Sequence, residues 1–444
     1  MALWFQQALL PDGWHDHVRI TLSGGLVADV VPGVAPQPGD ERHGPAFPGL
    51  PNVHSHAFQR GMAGLAEQAG EGSDSFWTWR EVMYRFVDRL DPEGLHAIAA
   101  LAYAEMLESG FTSVGEFHYL HHAPDGTSYA DPAAMAQAIV QAAEDTGIAL
   151  TLLPVFYAHA GFGGAAPAHG QRRFLHSPDS FARLLEALST LEGLTLGIAP
   201  HSLRAVTPQQ LAAITALAPD APVHIHIAEQ IPEVEACLAW SGQRPVEWLM
   251  DHAEVDPRWC LVHATHVTPA ECGAIARSGA TVGLCPITEA NLGDGLFPAR
   301  AFLAQGGRIG IGSDSNVQID AAAELRLLEY GQRLTHHGRN LLASAPGRST
   351  GASLTLAAQQ GARALGQAPA QLAPGAPADI VTLRSDHPAI AARSGDRLLD
   401  GWIFAGARID SVWRGGRKRV SAGVHHARPQ IEARYVPLLK ALLD

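Results

Sequence analysis

Short apolar runs alternate with longer amphipathic segments from about residue 46 to residue 313. The runs have no polar face, which is typical of parallel strands that helices cover on both sides. The segments between them are rich in Ala and Leu, with the apolar spacing of surface helices. Eight runs are found, at residues 46–52, 111–116, 149–156, 195–200, 222–228, 260–264, 280–285 and 308–313. Eight strand-then-helix units predict an α/β fold, a (β/α)8 TIM barrel, with a doubly wound open sheet as the alternative.

The two ends of the chain have a different pattern, rich in strand-forming residues and turn signals. Gly24-Gly25 separates two β-rich stretches near the N-terminus, and Gly415-Gly416 marks a hairpin near the C-terminus. We expect one small β-domain made from both ends, with a separate C-terminal β-module as the alternative. Three parts are predicted: residues 1–45, a barrel of residues 46–370, and residues 371–444, which end in a helix.

Composition excludes several classes of function. The formal net charge is -13, and the one basic run is residues 417–419, so nucleic-acid binding is not expected. No apolar run reaches membrane-spanning length, and the N-terminus lacks a signal-peptide pattern. The four cysteines show no CxxC spacing, so we expect buried free thiols. A cytoplasmic protein without membrane or nucleic-acid partners is the expectation.

Candidate metal ligands lie at the ends of the predicted strands. His54 and His56 are two residues apart at the end of the first run, and strand alternation puts them on one face. In the fifth run, His224 and His226 point the same way, and His226 is nearer the C-terminal end. Because barrel active sites form at that end, we choose His226 as a ligand and leave His224 as a deeper core group.

The sixth and eighth runs add His263 and Asp314 at the same end of the predicted barrel. Imidazoles and a carboxylate are ligands that suit zinc, although iron and manganese also tolerate them. The only lysines are Lys418 and Lys440, so a site built on a barrel lysine is not available. One divalent ion is therefore predicted, and Zn2+ is the metal that we expect.

These residues resemble the amidohydrolase superfamily, whose members are metal-dependent (β/α)8 barrels with a β-sandwich formed by both termini. The resemblance implies a ligand set of His54, His56, His226 and Asp314. His226-Ile-Ala-Glu229 fits its one-metal branch, which contains deaminases. More specifically, residues 50–64 and 75–86 resemble the formimidoylglutamate deiminase family of histidine degradation. That resemblance implies a hydrolase, a homodimer, that converts N-formimidoyl-L-glutamate and water to N-formyl-L-glutamate and ammonia.

Three residues are predicted to carry the chemistry. Asp314 is expected to bind the metal and accept the proton of the attacking water, with a capping aspartate as the alternative. Glu229, three residues past His226, is expected to carry a proton to the departing nitrogen, unless it is a surface carboxylate. His263 is expected to stabilise developing charge, with a core histidine as the alternative.

The substrate's two carboxylates require positive groups, and arginine suits them better than lysine. The resemblance implies a substrate-binding set of Gln59, Arg80, Tyr119, His201 and Arg204. We expect Arg80 and Arg204 to bind the carboxylates, with solvated surface charges as the alternative.

Several features stay open at this point. His118, His121 and His122 are expected to be solvated or to support the site from outside. The glycine-rich segment 158–177 is either a lid or a flexible crossover. The aromatic rings of Phe76, Trp77 and Trp79 either line the pocket or pack at an interface. A deaminase of a heterocycle such as guanine, cytosine or a triazine is the alternative function, and a metal-free scaffold is a third.

Overall fold

The structure is a computed structural model that describes residues 1–69, 76–191 and 193–444. Ser75 and the side chains of Phe76 and Trp77 lie outside that description. The strands are β1 (Ala2–Leu10), β2 (Gly13–Ser23), β3 (Leu26–Val31), β4 (Glu41–His43), β5 (Ala46–Pro48), β6 (Leu50–Ser55), β7 (Phe111–His118), β8 (Ala149–Phe156), β9 (Thr195–Leu196), β10 (Ala199–Pro200), β11 (Val223–Ile227), β12 (Trp259–His263), β13 (Thr281–Leu284), β14 (Arg308–Ile311), β15 (Ile380–Leu383), β16 (Ile409–Arg414), β17 (Arg417–Ser421) and β18 (Val424–His425).

The helices lie mainly between the barrel strands. They are α1 (Phe76–Val87), α2 (Pro92–Ser109), α3 (Ala134–Thr146), α4 (Pro178–Ser189), α5 (Pro208–Thr215), α6 (Ile231–Ser241), α7 (Pro245–His252), α8 (Pro269–Ser278), α9 (Pro286–Leu292), α10 (Ala299–Ala304), α11 (Ala321–His336), α12 (Thr350–Gln359), α13 (Arg397–Ala405) and α14 (Arg428–Leu443). Three 3-10 helices cover Ala57–Met62, His169–Gln171 and Gln360–Leu365 among the described residues. None of the described helices has the length and apolarity that crossing a membrane requires.

Capping signals fix where several of these helices begin. Ser177, Thr207 and Thr268 each accept a hydrogen bond from the backbone N–H three residues later, and a proline follows each of them. The cap satisfies a donor that the first helical turn leaves unpaired, and proline fits the first helical position. The connections between strands and helices are therefore encoded locally.

The strands β6 to β14 form a parallel barrel. Their order is β10-β8-β7-β6-β14-β13-β12-β11, with β9 beside β8. The parallel bridges Ile198–Val223 and Ser202–His226 join the two ends of this order. Each of the eight predicted runs overlaps a strand of the barrel, so the predicted fold class is confirmed.

Strands from both chain ends pair in the second sheet. Among the described residues its order is β18-β17-β16-β15-β5-β1-β2-β3, with β4 beside β1. The antiparallel pairing of β15 with β5 joins the C-terminal strands to the N-terminal ones. A separate apolar core, which includes Leu3, Phe5, Val18, Ile20, Ile380 and Trp413, lies in this sheet.

The chain passes from this sheet to the barrel at Gly49. β5 pairs with β1 and β15, whereas β6 pairs with β7 and β14. A Cβ atom on Gly49 would lie 2.3 Å from the side chain of Thr112, which no ordinary contact allows. Glycine at this position therefore lets the backbone approach β7 closely as it enters the barrel.

Candidate metal centre and active site

Four buried side chains converge where strands β6, β11 and β14 end. The Nε2 atom of His54 lies 3.2 Å from Nε2 of His56 and 3.0 Å from Nε2 of His226. The Oδ1 atom of Asp314 lies 3.4 Å from Nε2 of His54 and 3.3 Å from Nε2 of His56. One donor atom from each of the four lies within 4.8 Å of the others. The predicted ligand residues therefore face one point.

Hydrogen bonds on the far side of two of these imidazole rings fix which ring nitrogen carries the proton. The Nδ1 atom of His56 lies 2.9 Å from the carbonyl oxygen of Phe117, and that of His226 lies 3.0 Å from the carbonyl oxygen of His201. A carbonyl oxygen only accepts, so each Nδ1 carries a proton and each neutral ring presents a lone pair at Nε2.

Burial keeps these imidazoles neutral. It lowers the pKa of His54 to about 3 and also lowers the pKa of His56 and His226. Lone pairs and a carboxylate that point at each other repel, and a cation at their centre removes the repulsion. Three imidazoles and one carboxylate fit a divalent metal such as zinc.

Buried amide and hydroxyl groups fasten the first barrel strand to the last one beneath this cluster. Asn52 donates from Nδ2 to Oγ of Ser313 (2.6 Å), and Ser313 donates to Oδ1 of Asn316 (2.6 Å). Asn316 in turn donates to the carbonyl oxygens of His56 (3.0 Å) and Asp314 (3.1 Å). The network holds ligands from both strands in register.

The backbone is strained at the same strand ends. His263 and Asp314 have φ values of 66° and 45°, in the left-handed region that side chains other than glycine rarely occupy. Ala228, Ala264 and Asn316 share this feature. Each such residue costs on the order of 1–3 kcal/mol, and such strain concentrates at functional sites.

Two proton-carrying groups lie beside the cluster. The Nε2 atom of His263 lies 3.8 Å from Oε1 of Glu229 and 3.8 Å from Oδ2 of Asp314. Burial raises the pKa of Glu229 to about 7. Burial alone would lower the pKa of His263, but the carboxylates of Glu229, Glu289 and Asp314 outweigh it and raise the pKa to about 10.

Every predicted site residue except His54 lines a single cavity. Among the lining residues are Gln59, Arg80, Tyr119, His201 and Arg204, together with His56, His226, Glu229, His263 and Asp314. His54 is fully buried beneath them. Arg80 lies on helix α1. The structure thus brings the ligand set and the predicted substrate-binding set together.

Other residues of the site were missed by sequence reasoning. Met83, Tyr84, Tyr157 and Phe174 also line the cavity, and so does Trp79, for which the sequence left open a place in the pocket or at an interface. Glu289 contacts His263 from helix α9, with its Oε1 atom 3.3 Å from Nδ1. Its position four residues past a predicted strand was the available signal.

The histidines after the second strand support the cavity wall from behind. His118 and His121 are buried, rather than solvated. The backbone N–H groups of His121 and His122 both donate to the carbonyl oxygen of Arg173 (3.0 Å each). Arg173 is itself fully buried and donates to the carbonyl oxygens of His122 (2.7 Å) and Leu90 (2.7 Å). The segment 158–177 is therefore packed against the barrel at this end.

A parallel barrel with three imidazoles and a carboxylate at its strand ends defines a metal-dependent hydrolase of the barrel class. Residues 46–417 match the model of the amidohydrolase family, and the chain belongs to that family. Residues 2–44 match the model described as formimidoylglutamate deiminase HutF, N-terminal domain.

Curated relatives are deaminases and deiminases. The chain is 52% identical over 451 residues to formimidoylglutamate deiminase of Pseudomonas aeruginosa, with 100% of both chains covered. It is 29% identical to 8-oxoguanine deaminase of the same species, with 85% of this chain and 82% of that protein covered.

Solved structures agree with the fold. An amidohydrolase from Brucella melitensis is 54% identical, with a TM-score of 0.96 and 100% of both chains covered. An adenosine deaminase from Xanthomonas campestris with bound zinc is 22% identical, with a TM-score of 0.81 over 100% of this chain and 98% of that one. The latter likeness concerns the fold alone.

Proposed function

We propose that this chain is a metal-dependent deiminase that hydrolyses N-formimidoyl-L-glutamate to N-formyl-L-glutamate and ammonia. The observation that carries the proposal is one cavity that contains both a buried metal-ligand set and two arginines, Arg80 and Arg204. The 52% identity to formimidoylglutamate deiminase supports the same substrate.

The proposed ligands are His54, His56, His226 and Asp314, and the proposed ion is zinc. When bound, such an ion acts as a Lewis acid that lowers the pKa of water to about 7. The proton on Nδ1 of His56 and His226 keeps both Nε2 lone pairs directed at the ligand site. The nitrogen-rich donor set supports the assignment, which elemental analysis tests.

The chain's carboxyl and imidazole groups manage the protons. Asp314 accepts a proton from the attacking water at a carboxylate oxygen, and Glu229 delivers a proton to the nitrogen that leaves as ammonia. With a pKa raised to about 7 by burial, Glu229 can hold or release a proton at neutral pH. His263 donates a hydrogen bond from Nε2, which stabilises the negative charge on the oxygen that attacks the amidine carbon. The amidine carbon takes up the oxygen of the water, and its terminal nitrogen leaves as ammonia.

The opposite end of the substrate carries two carboxylates. A net charge of -13 would repel an anionic substrate, so local arginines must supply the attraction for its carboxylates. Arg80 and Arg204 are the proposed carboxylate-binding residues, since a guanidinium binds a carboxylate through two parallel hydrogen bonds. Gln59 donates to the hydroxyl of Tyr119 (2.8 Å), and we propose that this pair and His201 complete the substrate-binding set.

Three further features stay predictions. The division into three parts is supported by the sheet that combines strands of both chain ends, although that sheet also contains Ala46–Pro48, which the boundary at residue 45 assigns to the barrel. The homodimer rests on the family resemblance, and sedimentation analysis would measure it. The cytoplasmic location rests on the composition of the chain.

The test is ammonia release by the purified protein from N-formimidoyl-L-glutamate beside 8-oxoguanine, guanine and N-formimidoyl-L-aspartate. We expect the glutamate derivative to have the highest kcat/KM. A heterocycle deaminase is the second candidate, because aromatic rings line the cavity and a relative acts on 8-oxoguanine. Preference for a heterocycle would overturn the proposal.

A further inference from the structure

The segment 168–176 packs against two tyrosines that line the cavity. The ring centroid of Phe174 lies 6.1 Å from that of Tyr84 and 5.9 Å from that of Tyr157. A Cβ atom on Gly170 would lie 2.6 Å from the ring of Tyr84, so glycine allows the backbone to lie flat against that ring. This segment therefore sets the positions of both phenols.

Gln171 determines which way the hydroxyl proton of Tyr157 points. Its side chain is buried, and its Oε1 atom accepts the backbone N–H of Ala168 (2.7 Å). A backbone N–H only donates, so the amide oxygen must face Ala168 and the NH2 group must face the tyrosines. The NH2 group donates to the hydroxyl of Tyr157 (2.7 Å).

A phenol that accepts this bond has its own proton left to donate. Both Tyr84 and Tyr157 line the cavity, and the hydroxyl of Tyr157, which accepts from Gln171, is left to donate there rather than into the segment. Burial raises the pKa of both phenols, that of Tyr157 to about 12, which keeps the protons in place.

Positive charge reinforces these donors. The guanidinium carbon of Arg80 lies 5.5 Å from the centroid of the Tyr84 ring. Arg80 and Arg204 both act electrostatically on the two phenols. Two guanidinium groups and two hydroxyl donors around one space suit an anion with several acceptor oxygens, namely a carboxylate.

We propose that Tyr84 and Tyr157 donate hydrogen bonds to a carboxylate of the substrate, and that Gln171 is a positioning residue that aims the phenol of Tyr157. The inference rests on the proposed function and deepens it. Segment 168–176 therefore favours acidic substrates by positioning these tyrosines, without contacting the reacting carbon itself.

The test compares two substrates in each variant. Tyr84→Phe and Tyr157→Phe each remove only a hydroxyl. Gln171→Glu replaces the amide donor by a carboxylate, which accepts the hydroxyl proton of Tyr157 and so turns it away from the substrate. We expect KM for N-formimidoyl-L-glutamate to rise about tenfold in each, since a hydrogen bond to a charged group is lost, with kcat within about threefold. Tyr435→Phe, on helix α14, is the matched control and should leave both constants unchanged.

The second substrate is the diamide of N-formimidoyl-L-glutamate, in which neutral amides replace both carboxylates. Carboxylate recognition predicts that its kcat/KM is unchanged in the three variants, whereas a general structural role would lower it equally. Equal losses on both substrates, or an unchanged KM for the dicarboxylate in both Tyr→Phe variants, would overturn the inference. Failure of the wild-type protein to release ammonia from either substrate would instead overturn the proposed function. The near-isosteric Tyr→Phe pair decides the matter if Gln171→Glu does not fold.

Discussion

The Nδ1 atom of His263 lies 3.3 Å from Oε1 of Glu289, at the start of helix α9. The same oxygen accepts the backbone N–H of Cys285 at 2.9 Å, so the carboxylate is itself held in place. With Nδ1 hydrogen-bonded to Glu289, the other ring nitrogen, Nε2, faces Glu229 and Asp314. Glu289 is therefore placed to orient His263 and to stabilise its protonated form.

Replacing Glu289 by Gln should lower kcat by about 10–100-fold while metal content stays near that of the wild type. The amide oxygen still accepts the Cys285 N–H, so the fold is kept, but the negative charge beside His263 is lost. Steady-state kinetics and elemental analysis measure the two effects. Glu235→Gln on the exposed face of helix α6 is the control. Loss of the metal together with activity would show that Glu289 acts through the ligands instead.

Glu229→Gln should reduce kcat by about a thousandfold, because the amide can neither accept nor deliver a proton. The side chain is not part of the four-residue ligand group among the described residues, so bound metal should be retained. The measurement is ammonia release alongside metal stoichiometry on the same preparation. A variant that no longer holds metal would make Glu229 a ligand and contradict the proposed role.

The parts of this molecule that follow short-range rules could be predicted from its sequence. Strand alternation places His54 and His56 on one face, and their Nε2 atoms do lie 3.2 Å apart. Apolar runs predicted the barrel strands, and the choice of His226 over His224 is matched by the positions of their rings. His226 contacts His54, whereas Nε2 of His224 donates to the carbonyl oxygen of Ala364 (2.7 Å).

Contacts made by turns and loops could not be predicted in this way. Gln171 reaches Tyr157 because segment 158–177 folds back over the barrel, and no periodicity encodes that path. His263 ends strand β12, and helix α9, which carries Glu289, begins immediately after the neighbouring strand β13. Glu289 meets His263 because these two strand ends lie side by side. Both relationships depend on tertiary geometry, and sequence spacing carries little information about it.

Asn316→Ala should weaken metal binding by about 10–100-fold and lower the melting temperature. The side chain is fully buried and donates to the carbonyl oxygens of His56 and Asp314. Its loss also strains the backbone, since Asn tolerates a φ of 54° better than Ala does. Competition with a chelator of known affinity and thermal unfolding with and without added zinc measure the effects.

A melting temperature that falls equally with and without zinc would show that Asn316 stabilises the barrel alone. The affinity change distinguishes this outcome from the expected one, in which added zinc restores much of the lost stability. Asn340→Ala is a suitable control, because Asn340 also has a positive φ but lies exposed, outside the ligand network.

Arg80→Met and Arg204→Met should each raise KM for N-formimidoyl-L-glutamate by about 10–100-fold, because a charged hydrogen-bond donor to a carboxylate is lost. Arg339→Met, an exposed arginine outside the cavity, is the control. The two variants should differ in one respect, because the charge of Arg204 lowers the pKa of Glu229. Removing Arg204 raises that pKa above about 7, so the pH dependence that Glu229 imposes on kcat moves to higher pH. Arg80→Met should leave it in place, and an unchanged KM in both variants would remove the carboxylate-binding role from these residues.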